Sequence, residues 1–411
     1  MKIINIDEAL KLPQQFHILM DAMDELYAKR QEEFQKSNPL KEIYQMVSLN
    51  KFQKSFGSST GYKQAFERTV DYAAYPGFSS GDGFKTTVSY VPFNGKVVIS
   101  WQTILEADWS SIKDEISDFQ IAWQRQVVEL GMYALTAMFG KKVYDKTSKT
   151  FIKIDSADTV DGDPMTELKN PVFTNAHTIV RTEGMTDDEF NKFKQSNKFY
   201  IDVPLDGSDP LAYAKIANAL SQIKVRMSKL FDDNGKRAGV SGTKKIVATE
   251  DAQLNAALNS IIAAPDFSAA VGKPTLNPVK EGFKTYYTSY LDGNYEQEMP
   301  MFAVGEDGIA RGFLILDDAY NKANHGPMMV ERVGFQLKAV KTDEPEGIKY
   351  LGKQAFSFFC PSWRGISYVY LGKPNGADGE WNDIKTFTEI VPVAFAAPVT
   401  VLGTVATKEQ A

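Results

Sequence analysis

The residues predict an α+β fold in which helices and strands follow one another along a single chain. Three observations carry that expectation. Ile112, Ile116, Phe119, Trp123, Val127, Leu130, Ala134 and Met138 recur at steps of three and four, the period of an amphipathic helix. Val333, Phe335, Leu337 and Ala339 alternate with more polar neighbours over 332–342, the period of a half-buried strand, and 348–359 reads as the strand that returns. The 411 residues are 43% hydrophobic and 24% charged. That globular balance excludes a disordered chain, a collagen-like chain and a coiled-coil rod, and the length suggests two or three domains.

The first 50 residues read as a helical arm, with Leu12, Phe16, Leu19, Met20, Met23 and Leu26 as its apolar stripe and the polar stretch 31–36 running free. Loops rich in Gly and Ser follow at 56–62 and 75–84. Segment 84–105 centres on Asn94-Gly95, a strong hairpin signal because a type I′ turn needs positive φ at both central residues. That register gathers Phe84, Val88, Tyr90, Pro92, Val97, Ile99, Trp101 and Leu105 on one face. Two arms of about ten residues, roughly 33 Å each, do not make a stable ribbon alone in water. The apolar face therefore rests on its own domain or on a neighbouring subunit.

The long helix spans 112–138, with Ser111 and Asp114 as its capping box and Gly140 as its stop. Residues 141–207 mix short strands with turns. A second helix starts at Ser208-Asp209-Pro210, buries Leu211, Ala214, Ala217, Leu220, Met227 and Leu230, and stops at Asp233-Asn234-Gly235. Residues 244–264 read as strand, turn and helix, and strands follow at 283–289 and 313–320. Asp343, Glu344 and Glu346 make an acidic turn inside the closing strand pair. The apolar tail 391–406 is broken by two prolines and a glycine. It is too short to cross a bilayer and reads as terminal strands of a soluble protein.

The search for chemistry is nearly empty. Net charge is −6, from 46 basic and 52 acidic residues, which disfavours a sequence-specific nucleic-acid reader. Cys360 is the single cysteine, so no intrachain disulfide forms. His17, His177 and His325 are scattered. Gly239 and Gly242 before Thr243-Lys244-Lys245 have the wrong spacing for a phosphate-binding loop, and neither G-x-S-x-G nor H-E-x-x-H occurs. Asp155, Asp158, Asp161 and Asp163 miss the calcium-loop pattern. His177 reads as a hydrogen-bonded structural histidine and Cys360 as a small buried hydrophobe. No catalytic, cofactor-binding or metal-binding residue is expected, and the chain does not read as an enzyme.

The order of elements resembles the major capsid protein of tailed bacteriophages, the Hong Kong 97-type fold, in its Mu-like head-subunit branch. VVISWQTILEADW is similar to the strand that enters an acidic-aromatic link before that family's long helix. NPVFTNAH, KKIVATEDAQLNAAL, FLILDDAYNK and the segment from MMVERVGF to KQAFSFF resemble later elements of the branch, in the same order, over about 60–370. The resemblance implies an N-terminal arm at 1–70 and an extended hairpin loop at 71–108. It implies a peripheral domain from 109–165 and 328–365, and an axial domain from 166–327 and 366–411. Tyr90, Asn94, Gly95, Ile99 and Trp101 would belong to the hairpin overlapping a neighbour. Asp343, Glu344 and Glu346 would form a peripheral tip near a three-fold axis.

What the resemblance implies for function is an icosahedral head shell of pentamers and hexamers, enclosing double-stranded DNA that it contacts without base specificity. Scaffold, portal and decoration proteins would be partners. No membrane or cofactor is implied, and the place would be the virion after assembly in the bacterial cytoplasm. Two other classes remain open. An encapsulin-like compartment shell keeps the fold and changes the contents. A soluble α+β enzyme would need a concave pocket with convergent titratable groups.

Overall fold

The computed structural model describes residues 16–50, 53–57, 85–89, 91–100, 109–139, 143–145, 150–152, most of 172–209, 211–265, most of 277–293, 299, 301–302, 309–343, 346–372 and 388–390. Helix α1 (Phe16–Ser37) and a 3-10 turn (Pro39–Glu42) lead into β1 (Gln45–Ser48), β2 (Gln53–Gly57), β3 (Lys85–Ser89) and β4 (Val91–Ser100). Helix α2 (Trp109–Ala137) is followed by β5 (Val143–Asp145), β6 (Thr150–Ile152), α3 (Asp187–Asn191) and β7 (Lys198–Ile201). Then come α4 (Ala212–Ser228), β8 (Lys244–Ala248), α5 (Ala252–Ala263), β9 (Phe283–Tyr287), β10 (Gly312–Asp317) and α6 (Asp318–Ala323). The chain closes with β11 (Met328–Asp343), β12 (Glu346–Phe359), β13 (Ile366–Leu371) and β14 (Thr388–Glu389).

Two sheets organise these elements. The first has the order β1-β11-β12-β4, with β1 parallel to β11 and the other pairs antiparallel. Its long members, β11 and β12, are the predicted closing pair, and Asp343 faces Glu346 at their end. One face of this sheet packs on α1 and α2. Side chains alternate accordingly: Phe335, Leu337 and Ala339 point inward, while Gln336, Lys338 and Val340 are exposed. The second sheet runs β14-β7-β13-β10-β8-β9. Its central strands β10 and β8 are buried at every position, which suits strands covered on both faces. Helix α4 buries Ile216, Ala217, Leu220, Ile223 and Met227 against the same core.

The expected hairpin at Asn94-Gly95 does not form. Residues Val91 to Ser100 are one unbroken strand, and Asn94 and Gly95 sit opposite Lys353 and Gly352 of β12. Gly95 is absent from the glycines with positive φ. It is glycine for a different reason: a Cβ there would lie 2.8 Å from Trp123 Cζ3 and 3.2 Å from Phe119 Cζ. A Cβ on the facing Gly352 would lie 3.1 Å from the same Phe119 ring. The glycine pair is a notch that lets the aromatic ridge of α2 approach the sheet. Gly95→Ala and Gly352→Ala are each expected to cost about 1–3 kcal/mol by overpacking, read as a lower urea midpoint with an unchanged m-value.

Other differences are smaller. Helix α2 starts at Trp109, so Ser111 lies inside its first turn and does not cap it. Its 29 residues make a rod of about 43 Å. Segment 31–36 does not run free but completes α1, which lies along α2. Tyr27 hydroxyl donates to Phe335 carbonyl at 2.6 Å, and Gln120 Nε2 donates to Tyr27 carbonyl at 3.2 Å. Burial foremost, helped by Glu331 and Asp24, pushes the Tyr27 hydroxyl up to about 12. Helix α4 begins at Ala212, after Asp209 Oδ1 accepts from Leu211 N–H at 2.8 Å. The tail 391–406 and the aspartates at 155–163 lie outside the described residues.

Candidate assembly surfaces

Two fully buried ion pairs hold elements together. Lys244 and Asp317, both with 0% side-chain exposure, pair at 2.5 Å between β8 and the end of β10. Asp317 also accepts from Gly242 N–H and Tyr320 N–H, each at 2.9 Å, and so caps α6. Burial lowers the Lys244 ammonium, and the Asp317 carboxylate opposes that shift. Arg364 and Asp233 form a second fully buried pair at 2.7 Å. Lys245 reaches Glu42 at 3.2 Å and Asp318 at 2.8 Å, joining the 3-10 turn after α1 to the second sheet.

His177 is buried, stacks on Trp363 with ring centroids 3.7 Å apart, and its Nε2 lies 2.9 Å from Val172 carbonyl oxygen. Cys360 is buried, and its thiol donates to Ser362 carbonyl at 3.2 Å. A groove open to solvent runs between α1, α2 and β1, lined by Phe34, Met46, Trp123 and Phe335 among others. Among the described residues, Glu331 is its single ionisable side chain, and it already accepts from Gln354 Nε2 at 2.8 Å. Among the described residues, no cluster of His, Cys, Asp or Glu is arranged for a metal, and no helix is long and apolar enough to cross a membrane.

The predicted hairpin residues separate in space. Ile99 is 1% exposed and packs inside its own chain with Ile112, Ile116, Ile348 and Tyr350. This corrects the expectation that Ile99 lies on a ribbon reaching past the body: strand β4 finds its partner in β12. Asn94 and Gly95 are mid-strand. Tyr90 and Trp101 lie outside the described residues. The ribbon outside both large sheets is instead β2 with β3, whose register runs from Gln53 opposite Ser89 to Gly57 opposite Lys85. Among the described residues these strands pair only with each other. Asp343 and Glu346 stand at the end of the β11–β12 pair, and Glu344 lies outside the described residues.

A surface that sequence reasoning missed is the outer face of the first sheet. Lys338 of β11 and Lys96 of β4 both oppose Leu351 of β12, and Lys349 and Lys353 flank Leu351 along its own strand. Half of this was readable: the register that sets Asp343 opposite Glu346 also sets Lys338 opposite Leu351. The approach of β4 was not, because no local pattern announces a partner some 250 residues away.

No protein-family model matches the chain, and no curated protein matches it. Among solved structures the chain is similar to the mature capsid of bacteriophage PhiM1, at 11% identity over 80% of this chain and 84% of that one, with a TM-score of 0.41. It is similar to the capsid of cyanophage P-SCSP1u, at 8% identity over 80% and 86%, with a TM-score of 0.43. It is also similar to a virus-like particle from Pyrococcus furiosus, at 9% identity over 82% and 94%, with a TM-score of 0.38.

Proposed function

We propose that this chain is a shell subunit, the major capsid protein of a tailed bacteriophage, assembling with copies of itself into an icosahedral head around packaged double-stranded DNA. The observation that carries the reading is the β2–β3 ribbon. Among the described residues its two strands hydrogen-bond only with each other and join neither large sheet. A two-stranded ribbon is marginal in water and becomes stable on a surface that covers it. A copy of the same chain supplies such a surface in every subunit of a symmetric shell.

The rest of the architecture suits that role. The first sheet with α1 and α2 forms the peripheral body, the second sheet forms the axial body, and the β11–β12 end is the peripheral tip. Strand β4 belongs to the peripheral body, so the extension that overlaps a neighbour begins at β2 and ends at β3. Packaged DNA meets only phosphate-level contacts, which counterions screen at a net charge of −6. Scaffold, portal and decoration proteins are the expected partners, and the virion is the expected place. The test is electron microscopy and sedimentation of the purified full chain. Closed shells or capsomer rings are the expected result, and a compact monomer at every concentration overturns the proposal.

A further inference from the structure

The outer face of the first sheet carries a feature that folding does not use. Leu351 is 38% exposed. Lys96 and Lys338 stand directly across from it on the two neighbouring strands, and Lys349 and Lys353 stand two residues to either side on β12. Neighbouring strands are about 4.8 Å apart and two residues span about 6.8 Å. Four ammonium groups thus ring one apolar side chain on a patch of roughly 10 by 14 Å. None of the four forms an ion pair among the described residues. Like charges gathered this closely on a sheet repel, and in a chain of net charge −6 the arrangement asks for an anionic cover.

The same strand pair offers one. Asp343 faces Glu346 at its end, and Glu344 and Pro345 lie between them in sequence. The ladder from Lys338 opposite Leu351 to Asp343 opposite Glu346 has no register shift. Its five steps extend about 17 Å. A continuous ladder cannot fold its end back onto its own face, so the acidic end of a copy does not reach its own lysine ring. An acidic end and a basic shank on one strand pair are complementary head to tail.

We propose that the acidic end of one copy, Asp343, Glu344 and Glu346, docks on the ring of Lys96, Lys338, Lys349 and Lys353 around Leu351 in a second copy. The contact is heterologous, with different surfaces on its two sides, and it closes into a ring of copies when the rotation permits. It rests on the shell proposal and names the surface that receives the peripheral tip.

The test uses four versions of the full chain: the natural chain, K349E/K353E, E344K/E346K, and all four changes together. Each pair of reversals alone is expected to lower shell yield by about tenfold or more near 0.1 M salt, while circular dichroism and the melting of the unassembled subunit stay as in the natural chain. The combined reversal is expected to recover most of the yield, because the attraction is restored with its signs exchanged. Unchanged yield in either single reversal overturns the contact, as does a combined version no better than the worse parent. Loss of DNA retention in K349E/K353E with normal shell yield also overturns it, in favour of phosphate binding on this face. If the natural chain builds no shells, sedimentation near 0.01 M salt reads the contact directly. Small oligomers lost in each single reversal and regained in the combination keep the contact while the shell proposal falls; their absence removes both.

Discussion

Replacing Ile99 with aspartate will unfold the subunit, not merely detach it from its neighbours. Ile99 is 1% exposed, between Ile112 and Ile116 of α2 and Ile348 and Tyr350 of β12. Removing that side chain from the core forfeits about 1.5–3 kcal/mol of apolar burial. A carboxylate left there without a partner adds several kcal/mol more, whether it stays charged or takes up a proton. The total is comparable with the whole stability of a domain, about 5–15 kcal/mol. Ile99→Asp is therefore expected in the insoluble fraction, while Ile99→Val stays soluble with a loss of about 0.5–1.5 kcal/mol. A soluble, normally melting Ile99→Asp subunit that fails only in assembly would show that this side chain serves a neighbour after all.

Truncating Asp317 to alanine is expected to cost about 3–5 kcal/mol. Three donors converge on its carboxylate: Lys244 Nζ at 2.5 Å, Gly242 N–H at 2.9 Å and Tyr320 N–H at 2.9 Å. Without it the Lys244 ammonium is stranded where its side-chain exposure is 0%, and α6 loses its cap, itself worth about 1 kcal/mol. The double change Lys244→Met with Asp317→Ala should recover much of the loss, because the stranded charge is gone and the methionine fills a similar volume. Urea unfolding of the four members of this cycle measures the coupling. Equal losses in Asp317→Ala and in the double variant would show that the carboxylate acts through the backbone donors alone.

Periodic signals were legible in the sequence and long-range partners were not. The stripe from Ile112 to Met138 and the alternation through Val333, Phe335 and Leu337 each report one element's buried face, and both elements are present. The turn at Asp343 and Glu346 was readable because its two strands are adjacent in sequence. Asn94-Gly95 misled because glycine serves two ends: positive φ in a tight turn, or room for a neighbour's ring on a flat strand. Deciding between them requires knowing that α2 crosses at Gly95 and that β12 brings Gly352 beside it. The alternation had correctly placed Val97 and Ile99 on one face, but it put Pro92 there too, and the unbroken strand turns Pro92 outward. The buried pair of Lys244 and Asp317 was hidden likewise, because a lysine opening a strand looks like ordinary surface until its partner arrives from 73 residues away.

The notch of Gly95 and Gly352 sets how the long helix is able to move. Phe119 and Trp123 sit over it like a key over a two-toothed slot. Advancing along the strands by one repeat, about 6.8 Å, would drive those rings into Val97 and Tyr350 in one direction, or Phe93 and Gln354 in the other. Pivoting about the notch is held as well, because Trp123 Nε1 donates to Gln354 Oε1 at 2.8 Å and Gly131, two turns on, sits close against Leu40 and Phe358. A subunit obliged to change curvature would therefore carry its rod and the sheet beneath as one block, bending at other joints.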